Sequence, residues 1–278
     1  MTSPTAIATW ARHQLALSAL RSTLGVLEPA GIPVLVVKGM VLAHLLYADI
    51  ADRPMCDVDL RVRPRDFLRA VRAMRASGSK PLWVSRQFGA VSFEVEGTLI
   101  EIETSVGPPG LCALSVARML ERSRERLLPG DLRVREPEIH DHAMVMLINA
   151  YKDKMVRCPS WSLDDLDAIV AHLDPETFLV RIAEARVRTL AWIAADWMAR
   201  ERASDRWRGL RERMGARAPR RLYAWAVRRS LQQAPTSVTL RALTRMASDS
   251  ALQRVWALAA GGAGSAISWV GSGLETLS

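Results

Sequence analysis

The chain has 278 residues, of which 49% are hydrophobic, so it can bury one large core or two smaller ones and is not intrinsically disordered. Three widely spaced cysteines without a CxxC pair exclude a disulfide scaffold and a zinc-finger site, and they indicate a reducing, cytoplasmic setting. The longest weakly polar run, residues 255–270, is rich in Gly and Ser and short for a membrane span. We therefore expect no membrane span.

The net charge of +9 is concentrated in one part of the chain. Residues 181–229 contain 14 arginines against five acidic residues, so this segment alone accounts for +9. One interpretation is an electrostatic surface for RNA, a nucleotide or an acidic partner. The other, which composition alone favours, is a set of solvated helix faces in a chain that uses arginine in place of lysine. The sequence leaves both open.

The first half of the chain alternates helix and strand patterns. Apolar spacing and turn residues predict helices over 9–27, 40–47 and 66–76, and strands over 34–37, 56–62, 81–84, 90–95 and 98–105. The dipeptide Glu96-Gly97 is typical of a hairpin turn between the last two strands.

Helical patterns dominate after the turn-rich break at 107–110, apart from a short strand at 132–134. The predicted helices cover 140–155, 163–173, 175–187, 190–200, 207–214, 220–232 and 238–258. We expect an α+β fold, with a mixed β-sheet flanked by helices followed by an all-α part. The predicted domains are 1–135 (α/β), 136–260 (helical) and 261–278 (flexible tail).

Two carboxylates close together suggest a metal site at the end of the second strand. Residues two apart in a strand face the same way, so Asp57 and Asp59 are side by side. Such like charges repel unless a cation or a shared proton compensates them. The Lys38-Gly39 turn, which opens a helix, would offer backbone N–H groups to a phosphate. The pattern indicates a hard metal ion carrying a phosphate.

A third carboxylate comes from a later strand. Over residues 98–105, Ile100 and Ile102 face one way, and Glu101 and Glu103 face the other. If this strand lies beside the Asp57/Asp59 strand, Glu101 joins the pair. Otherwise it is an edge strand with a solvated acidic face.

Other common catalytic motifs are absent. The sequence has no GxxxxGK[ST], GxSxG or HExxH, which excludes a P-loop, a nucleophile elbow and that metalloprotease site. The five histidines are scattered, and we interpret His140 and His142 as surface or helix-start residues.

A family resemblance follows from these residues. The segment VVKGMVLAHLLYADIADRPMCDVDLRVRPRD resembles a poorly characterised nucleotidyltransferase family that carries Lys-Gly, then Arg-Pro-Met, then Asp-x-Asp. That family belongs to the DNA polymerase β-like nucleotidyltransferase superfamily. The likeness is close over 38–66 and looser through TLIEIETSV, HAMVMLINAYKDK and WSLDDLDAIV, to about residue 200.

The resemblance implies a nucleotidyltransferase-type sheet and assigns roles to individual residues. It implies that Asp57, Asp59 and Glu101 are catalytic and hold Mg²⁺ or Mn²⁺, and that an NTP is the substrate. The nucleotide-binding residues that it implies are Lys38, Gly39, Met40, Arg53 and Lys152. The sequence departs from the family pattern in several places. The Gly39–Asp57 spacing is longer than usual, and Asn149 stands where a His is frequent. Met40 stands where a small residue, often Ser, follows the glycine, and Glu103 stands where a His is frequent.

The resulting functional prediction is a Mg²⁺-dependent nucleotidyltransferase that moves an NMP group from an NTP to an acceptor. The acceptor is a small molecule, a protein or peptide hydroxyl, or a tRNA end held by the arginine-rich segment 181–229. The Met40 and Glu103 departures motivate an alternative, a non-catalytic binding or accessory protein with the same fold. A structural protein with an exposed acidic strand is the third possibility.

Overall fold

The computed structural model describes residues 4–85, 89–108, 110–151, 160–232, 247, 249–252 and 254–255. Ten helices are described: α1 Pro4–Leu27, α2 Gly39–Leu46, α3 Phe67–Ala76, α4 Val116–Arg122, α5 Ile139–Asn149, α6 Ser160–Ala171, α7 Pro175–Glu184, α8 Arg188–Glu201, α9 Asp205–Met214 and α10 Ala218–Gln232. The strands in the described part are β1 Leu35–Val37, β2 Asp57–Arg61, β3 Pro81–Ser85, β4 Ala90–Val95, β5 Thr98–Glu103, β6 Arg124–Leu128 and β7 Leu132–Glu136.

A mixed five-stranded sheet organises the first part of the chain. Its order is β1-β2-β5-β4-β3, and β2 and β5 are parallel while the other neighbours are antiparallel. The predicted hairpin between β4 and β5 is confirmed, with Glu96 at φ 49° and Gly97 at φ 74°. These left-handed conformations suit the tight turns that match strand twist. The predicted α+β class is confirmed.

The two faces of this sheet differ in chemistry because side chains alternate along each strand. Val58 and Leu60 of β2 and Ile100 and Ile102 of β5 are fully buried on one face. They belong to one apolar cluster with residues of α1 and α3. The alternate residues of β2 and β5 are largely charged and occupy the opposite face. The apolar core thus fixes which side of the sheet carries the carboxylates.

The sequence did not reveal a second, two-stranded sheet and the helix before it. Strand β6 pairs antiparallel with β7, and α4 precedes them. Strand β7 confirms the predicted strand at 132–134 and extends it to Glu136. The missed β6 has the sequence RERLL, in which no apolar alternation predicts a strand. Most of this strand is exposed.

The helical second half confirms six predicted helices with small shifts of their ends. Packing groups the chain into two units, which interleave along the sequence. Unit 1 comprises 1–106, 114–146 and 159–173, and unit 2 comprises 107–113, 147–158 and 174–278. The proposed domains 1–135 and 136–260 remain a prediction about separately folding parts.

Several predictions fall outside the described residues. These are Lys152, the tail 261–278 and most of the helix expected over 238–258. Within that range 251–252 and 254–255 are helical, but 247, 249 and 250 are not, so the prediction of one continuous helix was wrong. No helix in the described part of the chain is both long and apolar enough to cross a membrane.

Candidate active site

The predicted carboxylates come together on the polar face of the five-stranded sheet. The parallel register of β2 and β5 places Asp59 directly opposite Glu101, and Asp57 lies two residues earlier on β2. Asp59 is 4% exposed, whereas Asp57 and Glu101 are half-buried. Burial raises the pKa of Glu101, and the nearby charges of Asp59 and Asp57 raise it further. The three carboxylates therefore share one electrostatic environment.

Lys38 provides a positive charge at this carboxylate group. Antiparallel pairing places Val37, the last residue of β1, opposite Asp59, so Lys38 follows at the end of the strand. Its Nζ donates to Asp59 Oδ1 at 2.5 Å, and its side chain is 16% exposed. The Lys38 backbone has φ 57°, an uncommon conformation for a residue with a Cβ. Such strain is found where neighbouring structure enforces it, often at functional sites.

His142 of α5 holds the strained backbone of Lys38. The backbone N–H of Lys38 donates to His142 Nε2 at 2.9 Å, so this ring nitrogen carries no proton. The pKa of His142 is lowered to about 3, mainly by burial and also by the charge of Arg126, while the charge of Asp59 opposes the shift. His142 is 1% exposed and His140 is 9% exposed, so the interpretation as surface residues was wrong. Both do lie at the start of α5.

The turn from Lys38 into α2 requires glycine because Arg53 approaches it closely. A Cβ on Gly39 would lie 2.6 Å from Arg53 Nη1 and 3.2 Å from Met55 Cγ. The Arg53 guanidinium is buried and donates to the Asp165 carboxylate through Nη2 (2.7 Å) and Nε (3.2 Å). Tyr47 donates to the same carboxylate at 2.6 Å. Asp165 therefore fixes the arginine that shapes the Gly39 turn.

Asp165 was missed as an individual residue. It is fully buried in α6, within the segment WSLDDLDAIV that the family resemblance covers. A buried acid in an amphipathic helix needs a paired cation. Many arginines precede Asp165, and the sequence does not show that Arg53 is the one that meets it. A nucleotide contact by Arg53 stays a prediction.

Met40 can serve a ligand only through its backbone. Its side chain is fully buried in the apolar cluster with Val36 and Val41. The N–H groups of the first turn of a helix have no partner within that helix, and α2 begins at Gly39. The substitution of Met for a small residue thus places a larger side chain in the core and leaves the helix N-terminus unobstructed by it.

Glu103 pairs with a buried arginine that the sequence interpretation did not include. Arg61 of β2 is 2% exposed, and its Nη2 lies 2.7 Å from Glu103 Oε2. The Arg61 Nη1 is 3.9 Å from Asp59 Oδ1 and donates to the Leu60 carbonyl at 3.1 Å. The register pairs Arg61 with Glu103 across β2 and β5. Glu103 therefore acts as the counter-ion of Arg61, which explains an acid at this position.

The donor chemistry of this face fits a hard divalent cation, since Asp57, Asp59 and Glu101 offer only carboxylate oxygens. As the side chains stand, no three His, Cys, Asp or Glu residues in the described part converge closely enough to hold a metal ion. Asp59 is directed instead to Lys38 and Arg61.

The mixed sheet carries its carboxylate-bearing strand beside the Lys-Gly turn, the combination on which the resemblance to nucleotidyltransferases was based. A family model described as "Uncharacterised nucleotidyltransferase" matches residues 5–203. The chain belongs to this family, which confirms the resemblance drawn from residues 38–66. No curated protein matches the chain significantly.

Three solved structures resemble the backbone at low sequence identity. A solution structure of the antibiotic-resistance factor ANT(2'')-Ia has 15% identity and TM-score 0.44, with 70% of this chain and 95% of that chain covered. A crystal structure of ANT(2'')-Ia with adenylyl-2''-tobramycin has 16% identity and TM-score 0.44, covering 61% and 95%. The Thermotoga maritima CCA-adding enzyme with tRNA has 14% identity and TM-score 0.28, covering 88% and 78%. We draw no substrate from these similarities.

Proposed function

We propose that this nucleotidyltransferase moves an NMP group from an NTP to a hydroxyl-bearing acceptor and releases pyrophosphate. The observation that carries the proposal is the register that places Asp59 opposite Glu101, beside the Lys38-Gly39 turn. The acceptor oxygen bonds to the α-phosphorus, the bond from that phosphorus to the bridging oxygen breaks, and pyrophosphate leaves. The acceptor is a small molecule, a protein or peptide hydroxyl, or a tRNA end.

Asp57, Asp59 and Glu101 would hold Mg²⁺ or Mn²⁺ in this proposal. A bound divalent cation neutralises phosphate charge and stabilises the charge that develops during in-line displacement. The half-buried Glu101 would receive the proton of the acceptor hydroxyl. Asp59 is held by the sheet register and the buried Arg61, so its direction on β2 is fixed before substrate binds.

Lys38 and the first turn of α2 would bind the phosphates. Helix N-termini attract anions through their backbone N–H groups and their dipole. In the free protein the Lys38 ammonium neutralises Asp59. When a cation takes this role, Lys38 becomes available to a phosphate oxygen. Arg53 would act by positioning Gly39, since its guanidinium lies against Asp165 and the Pro54 carbonyl.

Transfer of label tests the proposal directly. The protein is incubated with NTPs labelled at the α- or the γ-phosphate, Mg²⁺ or Mn²⁺, and a cytoplasmic extract, because cysteine usage points to that compartment. Label from the α-position should enter an acceptor, and label from the γ-position should not. The Asp57→Ala/Asp59→Ala variant should lose transfer. Asp52→Ala, which removes an exposed acid near the site, is the matched control. Full activity in the double variant would contradict the proposal.

A non-catalytic accessory role is the second candidate, and the Lys38–Asp59 ion pair favours it. A carboxylate already neutralised at 2.5 Å is a weaker metal ligand than an unpaired one. Calorimetry with each NTP, with and without Mg²⁺, separates the two functions. The enzyme requires binding that depends on the divalent ion, whereas an accessory protein that does not use nucleotide would show none at millimolar NTP.

A further inference from the structure

A cavity in unit 2 is lined by several arginine side chains. Its volume is about 320 Å³, and it lies at the beginning of α8. Four arginines line it, Arg188, Arg217, Arg220 and Arg254, together with a single acidic residue, Asp249. The charged lining therefore carries an excess of three positive charges. Volumes of this size fall at the lower end of ordinary small-molecule sites.

Arg220 is buried and hydrogen-bonded within unit 2. Arg220 is only 4% exposed, and its Nη1 donates to the carbonyl oxygens of Met214 and Gly215, the latter at 2.6 Å. Burial lowers the pKa of Arg220; the charge of Asp249 opposes this, and the charges of Arg217 and Arg188 add to it. A buried guanidinium beside two more is costly unless an anion accompanies it.

The aspartate of the cavity is already engaged by backbone groups. Asp249 Oδ2 accepts from the Arg188 N–H at 2.5 Å, and Oδ1 accepts from the Thr189 N–H (2.9 Å) and hydroxyl (2.6 Å). This carboxylate therefore caps the N-terminus of α8, where an anion is favoured. In the described part of the chain it forms no ion pair with Arg188, Arg217 or Arg220. Among the described residues, this carboxylate is therefore occupied by the helix start and not by the guanidinium groups of Arg188, Arg217 and Arg220.

A second arginine cluster in the same unit has a buried counter-ion. The buried Asp196 pairs with Arg200, Arg211 and Arg228 at 3.0–3.3 Å. In the cavity, by contrast, the buried Nε of Arg188 has no hydrogen-bond partner among the described residues. The first cluster contacts its own anion directly, whereas no described acid forms an ion pair with Arg188, Arg217 or Arg220 in the cavity at α8.

We propose that this cavity binds the phosphate group of a small phosphorylated molecule, with Arg188 and Arg217 as the principal contacts. Arginine guanidinium groups match phosphate geometry and form charge-assisted hydrogen bonds to it. The cavity is of a size for one small molecule, which favours this ligand over the backbone of a nucleic acid. The site is independent of the transfer reaction proposed above, since it uses none of those residues.

Calorimetric titration of the full chain with inorganic phosphate and with ribose 5-phosphate, in EDTA, tests the site. EDTA removes divalent ions, so phosphate binding at the Asp57/Asp59/Glu101 group does not contribute. The expected result is saturable binding that Arg217→Gln or Arg188→Gln each weakens about tenfold. Arg229→Gln removes the same charge from an exposed position of α10 and should leave binding unchanged. Circular dichroism and Tm confirm that each variant is folded.

Asp249→Asn gives a second, opposite expectation. Asparagine retains a capping oxygen, and the loss of the negative charge should tighten phosphate binding several-fold. Absence of binding to the wild type, or an equal loss in Arg229→Gln, would overturn the proposal. So would binding of tRNA that depends on Arg217 without any binding of the small phosphates, since the ligand would then be a polymer.

Discussion

The carboxylate group of β2 and β5 and the arginine cavity at α8 are opposite in charge but similar in construction. Each collects like charges around a residue of the other sign. In the first, Lys38 contacts Asp59 at 2.5 Å and so neutralises a carboxylate directly. In the second, Asp249 is engaged by backbone N–H groups at the start of α8. A counter-ion used for capping leaves the surrounding charges able to bind a ligand.

The comparison also shows why charge counts along a sequence do not locate sites. The arginine-rich segment 181–229 contains the Asp196 cluster, in which three arginines share one buried acid. Arg181 pairs with Glu184 within the same segment. These arginines are internally compensated, and only part of the segment's charge is available to a partner. This weakens the interpretation that the whole segment is a surface for binding a polyanion such as RNA.

The largest expected effect is on catalysis at the carboxylate group. Asp59→Asn keeps the size of the side chain but removes the charge that a cation requires and that Lys38 contacts. We expect transfer to fall by about 10³-fold or more, because charge stabilisation of this kind is among the largest catalytic terms. Steady-state assays with labelled NTP measure it, with Asp52→Asn as the exposed-acid control. A loss of less than tenfold would mean that this charge cluster is not the reaction centre.

The next effect concerns the buried ion pair of Arg53 with Asp165, in which the arginine contacts its counter-ion directly. Asp165→Ala leaves the Arg53 guanidinium buried without this carboxylate and removes the acceptor of Tyr47. Breaking a buried pair in this way costs about 3–5 kcal/mol of unfolding free energy. Urea denaturation measures it. The control Asp205→Ala removes an exposed partner of Arg208, where a loss of less than about 1 kcal/mol is expected. If both variants lost similar unfolding free energy, burial of the Arg53–Asp165 pair would not determine its contribution to stability.

The sequence predicted the strands that carry the carboxylates well, but it did not predict the residues that pair with them. Alternation in 98–105 placed Glu101 opposite the apolar face, and strand patterns gave β2 and β5. Whether β2 and β5 are neighbours could not be predicted, because strands about 40 residues apart that pair in parallel leave no local signal in the sequence. The family resemblance identified Lys38 and Gly39.

Residues whose role depends on a distant partner could not be found in this way. Arg61 looked like an ordinary strand residue, and only the register reveals that it faces Glu103. Asp165 and His142 act on Arg53 and Lys38 from more than 100 residues away. The cavity at α8 joins Arg188 to Asp249, which no periodicity relates.

The neutral His142, which contacts Lys38 beside the carboxylates, predicts a pH dependence of stability. Its folded pKa of about 3 lies below its ordinary value of 6.5, so below pH 6.5 the unfolded chain binds a proton that the folded chain does not. Stability therefore falls as the pH decreases from 6.5 toward 3, by about 1.4 kcal/mol per pH unit for one proton. Burial also lowers the pKa of His13 and His44, which adds to the slope in every variant.

Replacement of this histidine should flatten the profile. His142→Gln is expected to reduce the slope of unfolding free energy between pH 6 and 5 by about one proton, measured by urea denaturation. His172→Gln removes an exposed histidine and controls for the substitution. An unchanged slope in His142→Gln would show that the ring is not held neutral at Lys38, and the account of the strained backbone would fail.

The smallest effect tests the close approach at the Lys38-Gly39 turn. In Gly39→Ala the new Cβ would lie 2.6 Å from Arg53 Nη1, and this guanidinium cannot move easily because Asp165 holds it. Overpacking of this kind costs about 1–3 kcal/mol. Gly209→Ala is the control, since nothing lies within 4 Å of its Cβ in α9 and the substitution should stabilise that helix by up to about 1 kcal/mol. Thermal unfolding distinguishes the two, because Tm should fall in Gly39→Ala and rise in Gly209→Ala.

If Gly39→Ala is neutral for Tm yet lowers NTP affinity, Arg53 is more mobile than its ion pair with Asp165 implies. The turn would then be shaped by the ligand and not in advance by the buried pair.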